Sequence, residues 1–205
     1  MSLDHALSLR DELSQYYRWL RQYGYNDSHS GNISARACAD EGDQSGAGDD
    51  HGGLVWLTPT GACADLLQPD DFVACRLDQP VPVTASGDAQ LHLAIYRNNP
   101  KAAAIIHAHC PHAVALTLDG EDFTPPDFEG QLYFPRVRVI TVPYDVYFEQ
   151  AADQVAQVLS EDSICIVRGH GVYAWGETLN QAYKWTCSLE MSAKTAFIAR
   201  QAGTI

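Results

Sequence analysis

Three histidines stand where one divalent metal could be held. His107 and His109 close the run Ile105-Ile106-His107-Ala108-His109, and His170 lies in Arg168-Gly169-His170-Gly171. The first pair ends an apolar stretch that reads as a buried strand. Side chains two apart on a strand point to the same face, so both imidazoles can reach one ion at about 2.0–2.1 Å. His170 follows a second short apolar strand, and its flanking glycines allow a sharp turn and a close approach to a ligand. Three imidazoles leave a coordination position open, which is the pattern of a catalytic site rather than a structural one. Zinc is the expected ion, and manganese or cobalt accept the same ligands. Taken alone, the His107/His109 pair could be ordinary strand-end histidines, and the second strand ending at His170 raises it above that reading. His29 sits beside a polar turn and could contribute. His92, on a helix flank, His112, in a first turn, and His51 weigh less.

A second set of residues is suited to an anion. Ser30-Gly31-Asn32, Thr58-Pro59-Thr60-Gly61 and Ala85-Ser86-Gly87 are short turns rich in neutral donors. Backbone N–H groups, hydroxyls and an amide together can hold a phosphate without Lys or Arg. The third turn precedes a helix starting near Asp88, and helix N-termini favour anions. Each segment singly reads as an ordinary turn.

The elements that must carry these residues alternate along the chain. The spacing of Leu9, Leu13, Tyr16, Tyr17 and Leu20 predicts a helix over 7–23, ended by Gly24. Strands are expected at 33–37, 54–57, 72–76, 103–109, 137–142 and 163–167. Helices are expected at 88–96, 111–118, 151–159 and 179–200. Asp40 to Asp50 cannot bury apolar surface and is expected to form a mobile hairpin loop. It lacks the spacing and terminal Glu of an EF-hand calcium loop. One sheet with mixed pairing is expected, and residues 1–205 read as one domain, without repeat or linker.

Composition narrows the function classes. The chain has 205 residues, 46% hydrophobic, with net charge −13. Lys and Arg are scattered, whereas nucleic-acid binding needs clustered cations. No apolar run approaches the ~18–20 residues that cross a bilayer. The N-terminus carries no secretory signal pattern. Six cysteines without a CxxC pair fit a reduced cytoplasmic protein.

Taken in order, Ser30-Gly31-Asn32-Ile33-Ser34, Leu57-Thr58-Pro59-Thr60-Gly61, Asp88 before a helix, His107-Ala108-His109 and His170-Gly171 resemble the class II aldolase/adducin family. The resemblance runs from about Leu13 to Phe197. It implies a three-layer α/β/α sandwich with a mixed, mostly antiparallel central sheet. It also implies a homotetramer with sites at subunit interfaces, zinc on His107, His109 and His170, and phosphate on Asn32, Thr60, Gly61 and Ser86, with Ser30 and Gly31 in the same turn. Asp88 matches the acid/base position.

The implied activity is aldol cleavage of a (deoxy)ketose 1-phosphate to dihydroxyacetone phosphate and an aldehyde through a metal-stabilised enediolate. Two departures stand out. Ala85-Ser86-Gly87-Asp88 replaces the aldolases' Pro-Ser-Ser-Glu, and the C-terminus lacks their tyrosine, which leaves the second proton donor unassigned. His170 to Thr178 is instead similar to the methylthioribulose-1-phosphate dehydratase branch, in which Glu129 would be catalytic. Glu129 could equally be a solvated loop carboxylate. A sugar-phosphate 4-epimerase is a further alternative. So is a non-catalytic adducin-like binding domain, which would lack the histidines. Tyr133 and Tyr144 are read as packing residues that could serve as acid/base partners.

Overall fold

The computed structural model describes residues 7–37 and 53–205, so the acidic Asp40–Asp50 segment lies outside the described residues. The described chain runs α1 (Leu9–Gln22), β1 (Asn32–Arg36), β2 (Leu54–Leu57), β3 (Val73–Arg76), α2 (Ala89–Asn98), β4 (Ala104–Ala108), α3 (Pro111–Leu116), α4 (Phe128–Tyr133), β5 (Val139–Ile140), α5 (Tyr147–Val158), β6 (Ile164–Val167), β7 (Gly171–Gly176) and α6 (Leu179–Ala202). The strands form one sheet in the order β3-β2-β1-β4-β7-β6-β5. Every neighbouring pair is antiparallel except β5 with β6.

Alternation along the strands divides the core into two layers. Ile33, Ala35, Ala104, Ile106, Val172 and Ala174 pack toward Leu13, Tyr17, Leu189 and Ala193 of α1 and α6. Ile105, Cys165, Val167 and Tyr173 face the other way, toward Leu91, Ile95, Val155 and Ala156 of α2 and α5. The result is the expected three-layer α/β/α sandwich.

Local chemistry sets the helix ends. Ser8 and Asp11 form a reciprocal capping box at the start of α1. Thr178 accepts from the Gln181 N–H at the start of α6, and Gly203 ends that helix in the left-handed conformation. α5 begins at Tyr147, one turn before the expected start, because a 3-10 turn over Tyr144–Val146 leads straight into it.

Two elements are not evident from the sequence. β7 follows β6 after a tight turn at Arg168–His170 and fills the centre of the sheet between β4 and β6. Its glycine-aromatic sequence, Gly171-Val172-Tyr173-Ala174-Trp175-Gly176, is buried at five of six positions and lacks the polar alternation of a half-exposed strand. α4 is a single short helix capped by Asp127, whose carboxylate accepts from the Gly130 N–H. The Asp127 carboxylate also meets the Ser192 hydroxyl on α6. A Cβ on Gly130 would stand 2.2 Å from that hydroxyl oxygen, so glycine is needed there.

No described helix is long and apolar enough to cross a membrane. Cys63, Cys75, Cys110, Cys165 and Cys187 are free thiols.

Candidate metal centre

The ladder across β1, β4 and β7 sets the floor of the site. Asn32 pairs with His107 across β1 and β4, and His107 pairs with Tyr173 across β4 and β7. These three side chains therefore form one row on the α2/α5 face of the sheet. His109 continues past the end of β4, and His170 projects from the turn between β6 and β7. His109 is fixed at its backbone, whose N–H donates to Asn26 Oδ1 at 2.9 Å.

The imidazoles converge. His107 Nε2 lies 3.1 Å from His109 Nε2 and 3.3 Å from His170 Nε2. Two nitrogens bound at 2.0–2.1 Å to a tetrahedral ion stand about 3.3 Å apart, so the spacing fits one zinc-sized ion. The tautomer fits as well. His107 Nδ1 lies 2.9 Å from the Val172 carbonyl oxygen, which can only accept, so the proton belongs on Nδ1 and the Nε2 lone pair faces inward. Burial lowers the pKa of all three histidines, and that of His107 most, which favours the neutral form a metal needs. Gly171 makes this closeness possible. A Cβ there would stand 2.5 Å from the Ala108 carbonyl oxygen and 2.9 Å from His107 Cε1.

Asp88 enters from the N-terminal end of α2. Its Oδ2 lies 3.7 Å from His107 Nε2. The same oxygen accepts from Asn32 Nδ2 at 3.0 Å and from the Tyr173 hydroxyl at 3.1 Å. Oδ1 accepts from the Tyr147 hydroxyl at 3.3 Å. Burial raises the carboxyl pKa, but the electrostatic interaction with the neighbouring His107 and the Asn32 hydrogen bond outweigh it, and the net shift is downward. Asp88 is thus held as a carboxylate beside the three nitrogens.

The turn Asn26–Asn32 is built from its own side chains. Asp27 Oδ1 accepts from the backbone N–H groups of His29 and Ser30, both at 2.8 Å. The Tyr17 hydroxyl from α1 donates to the carbonyl oxygens of Ser30 and Gly31. Gly31 has φ +68°, and a Cβ there would meet the Asn26 side chain at 2.3 Å. The Thr58 hydroxyl bridges Ile33 by accepting from its N–H and donating to its carbonyl, each at 2.8 Å. The Ser86 N–H donates to the Thr58 carbonyl, which sets the loop that leads into Asp88.

A cavity of about 540 Å³ opens above this floor. Ser30, Gly31, Asn32, Ser86, Asp88 and the three histidines line it, together with Val142, Tyr144, Tyr147, Phe148 and Arg168. Not every residue singled out in the sequence lines this cavity. Thr60 and Gly61 do not line this cavity; they line a separate depression with Ala62, Leu66 and Asp71, although the Thr60 N–H donates to the Thr84 carbonyl and so keeps the two loops together. Glu129 is exposed on α4 and does not line the cavity either. His92, expected on a helix flank, is fully buried and bonds Ser34 Oγ at 2.7 Å. Tyr147 and Tyr173 also belong to the site, and neither stands out as a site residue in the sequence. Both lie in segments that resemble the family, 143–148 and 170–178, but their place beside Asp88 can be read only with α5 and β7 in hand.

A seven-stranded α/β/α sandwich with three convergent imidazoles at its strand ends and a carboxylate from the start of α2 beside them defines a class of candidate metal-dependent enzymes. The chain matches the family described as Class II Aldolase and Adducin N-terminal domain over residues 11–197, and it belongs to that family. It is 30% identical to the 3-oxo-tetronate 4-phosphate decarboxylase of Escherichia coli O6:H1, a match covering 93% of this chain and 87% of that one. It is 29% identical to the L-fuculose phosphate aldolase of Methanococcus vannielii, covering 69% of this chain and 77% of that one. Among solved structures it is similar to the L-fuculose-1-phosphate aldolase of Thermus thermophilus, with a TM-score of 0.81, 32% identity and 94% of each chain covered.

Proposed function

We propose that this chain is a metal-dependent lyase that cleaves a small ketose 1-phosphate to dihydroxyacetone phosphate and an aldehyde. The observation that carries this reading is the convergence of three histidine nitrogens and Asp88 in one cavity that also holds a turn of neutral anion donors. A divalent ion on His107, His109 and His170, zinc in the first instance, would supply Lewis-acid stabilisation of the charge that develops on the substrate's oxygens. Ser30, Gly31, Asn32 and Ser86 would hold the phosphate through hydroxyl, amide and backbone N–H groups. Asp88 would move the proton at the carbon left behind by cleavage. Val142, Tyr144 and Phe148 offer an apolar wall to the departing fragment, which favours a deoxy sugar.

A second reading is decarboxylation of a 3-oxo sugar-acid 4-phosphate. The decarboxylase likeness over 93% of the chain favours it, and Arg168 at the cavity wall could meet a carboxylate. Both reactions pass through the same enediolate and differ only in the leaving fragment. Dehydration is weakened by Glu129, which lies outside the cavity of its own chain. The assembly proposed with this activity is a homotetramer, and light scattering of the purified protein tests it.

The deciding experiment is product analysis with zinc-loaded protein. Release of dihydroxyacetone phosphate and an aldehyde from fuculose, deoxyribulose or methylthioribulose 1-phosphate is the expected result. Release of carbon dioxide from a 3-oxo acid phosphate, with no cleavage of any ketose phosphate, would select the second reading.

A further inference from the structure

Aldol cleavage moves two protons. One leaves the hydroxyl on the carbon beyond the broken bond, and one arrives at the enediolate carbon. Asp88 is the only carboxylate lining the cavity among the described residues, so the first proton needs a route. Three oxygen contacts around Asp88 provide one. The Tyr147 hydroxyl is 3.3 Å from Asp88 Oδ1, the Tyr173 hydroxyl is 3.1 Å from Oδ2, and the two hydroxyls are 2.6 Å apart.

The contacts form a closed triangle with a proton count that can be checked. Each phenol brings one hydrogen-bonding proton and an ionised carboxylate brings none. Two protons therefore serve three contacts, and when both phenols donate to Asp88 the 2.6 Å contact has none. One more proton, placed on Asp88, completes the ring. Asp88 then donates to Tyr147, Tyr147 to Tyr173, and Tyr173 back to Asp88.

We infer that Asp88, Tyr147 and Tyr173 form a one-proton store, with Tyr147 as the group that exchanges the proton with substrate. Of the two phenols only Tyr147 lines the cavity. Tyr173 is buried behind His107 and acts as a positioning residue. The inference rests on the aldol-cleavage reading. In the cleavage direction the substrate hydroxyl gives its proton to the Tyr147 oxygen while the Tyr147 proton passes to Asp88 Oδ1. The carbon–carbon bond breaks, its electron pair forms the enediolate, and the former hydroxyl oxygen becomes the aldehyde carbonyl. Asp88 then delivers the stored proton to the enediolate carbon, giving dihydroxyacetone phosphate. No proton is gained or lost over the cycle.

The test separates the two protons in Tyr147→Phe. Exchange of the carbon-bound hydrogen of dihydroxyacetone phosphate in D2O needs only Asp88, and NMR follows it without any aldehyde. Condensation of dihydroxyacetone phosphate with acetaldehyde needs Tyr147 as well. Cobalt binding, read by visible absorption, reports the histidine site independently of turnover. Tyr147→Phe should retain exchange within about threefold and bind cobalt as wild type does, yet lose condensation by at least ~10²-fold. Tyr173→Phe should slow exchange and condensation together, with KM unchanged.

Wild-type condensation in Tyr147→Phe, equal loss of exchange and condensation, or loss of cobalt binding would each overturn the inference. Failure of the cleavage reading looks different. The wild-type protein itself would then exchange without condensing, or do neither, and the proton store would fall with it.

Discussion

Tyr173 lies directly across the β4–β7 ladder from His107, its ring stacked on the imidazole at 4.1 Å and 7°, while its hydroxyl donates to Asp88 Oδ2. One buried side chain therefore braces both a candidate metal ligand and the candidate proton carrier. The Val172 carbonyl, one residue earlier on the same strand, fixes the His107 tautomer. β7 thus orients His107 twice, and His170 sits immediately before it.

Removal of one imidazole should abolish metal binding with little damage to the fold. His109 lies past the end of β4 and is only half-buried, so His109→Ala leaves no large core cavity. Zinc at one hundred times its Kd should stabilise the wild type by about 2.7 kcal/mol. Thermal melts with and without zinc should show a rise in Tm for the wild type and none for His109→Ala. An equal rise in both would remove His109 from the site.

Asp88→Asn keeps the size of the side chain but removes its charge and its capacity to carry a proton. Zinc content and phosphate affinity should hold, while kcat falls by at least ~10²-fold, as for loss of a general acid/base. A variant within about tenfold of the wild-type kcat would assign the proton to another group.

Ser86→Ala deletes one hydroxyl from the proposed phosphate end and leaves the histidines untouched. KM for a phosphorylated ketose should rise about tenfold, corresponding to a lost hydrogen bond to a charged group, at unchanged metal stoichiometry. Thr60→Ala should leave KM as it is, because Thr60 lines a different depression. The reverse pattern in steady-state kinetics would place the phosphate near Thr60.

Metal-free protein should lose stability on mild acidification. His92 is fully buried, and burial lowers its pKa to about 4, with the Asp88 charge opposing the shift. The unfolded chain, with an ordinary histidine pKa near 6.5, takes up a proton first, so stability falls as pH drops below about 6.5 and stops falling from this source near 4. His92 alone contributes roughly 2 kcal/mol of loss between about pH 7 and pH 5. Urea unfolding of the metal-free protein across that range should show the slope, and His92→Gln should reduce it. An unchanged slope in the variant would assign the effect to other histidines.

Much of the site was legible because it is written in short, local patterns. The two-residue spacing of His107 and His109 on an apolar run fixed a common face, and the glycines around His170 marked a turn. The Ser30-Gly31-Asn32 turn was readable for the same reason, since its donors are consecutive and Gly31 has the positive φ that a turn there requires. The strand at Leu54–Leu57 and the helix from Pro111 were also evident from periodicity and proline placement. β7 was not, because a strand buried on both faces has no alternation to display. Glu129 came from the likeness to the dehydratase branch beside the reading of a solvated carboxylate, and α4 holds it exposed on its own chain, outside the cavity.

The sequence by itself supplied the candidate donors, namely three imidazoles, the carboxylates of Asp88 and Glu129 and three turns of neutral donors, because metal and anion chemistry depend on residue type and near-neighbour spacing. It also determined the layered α/β character, through the alternation of helical and strand periods. Only the tertiary structure decided which of these groups share a cavity. Ser30 and Ser86 meet the histidines there and Thr60 does not, because strand register and loop direction act between residues far apart in the chain. It alone brought Tyr147 from α5 and Tyr173 from β7 onto Asp88, residues 59 and 85 positions away. Contacts at that separation are set by how α2, α5 and the sheet pack, and packing leaves no mark in local sequence.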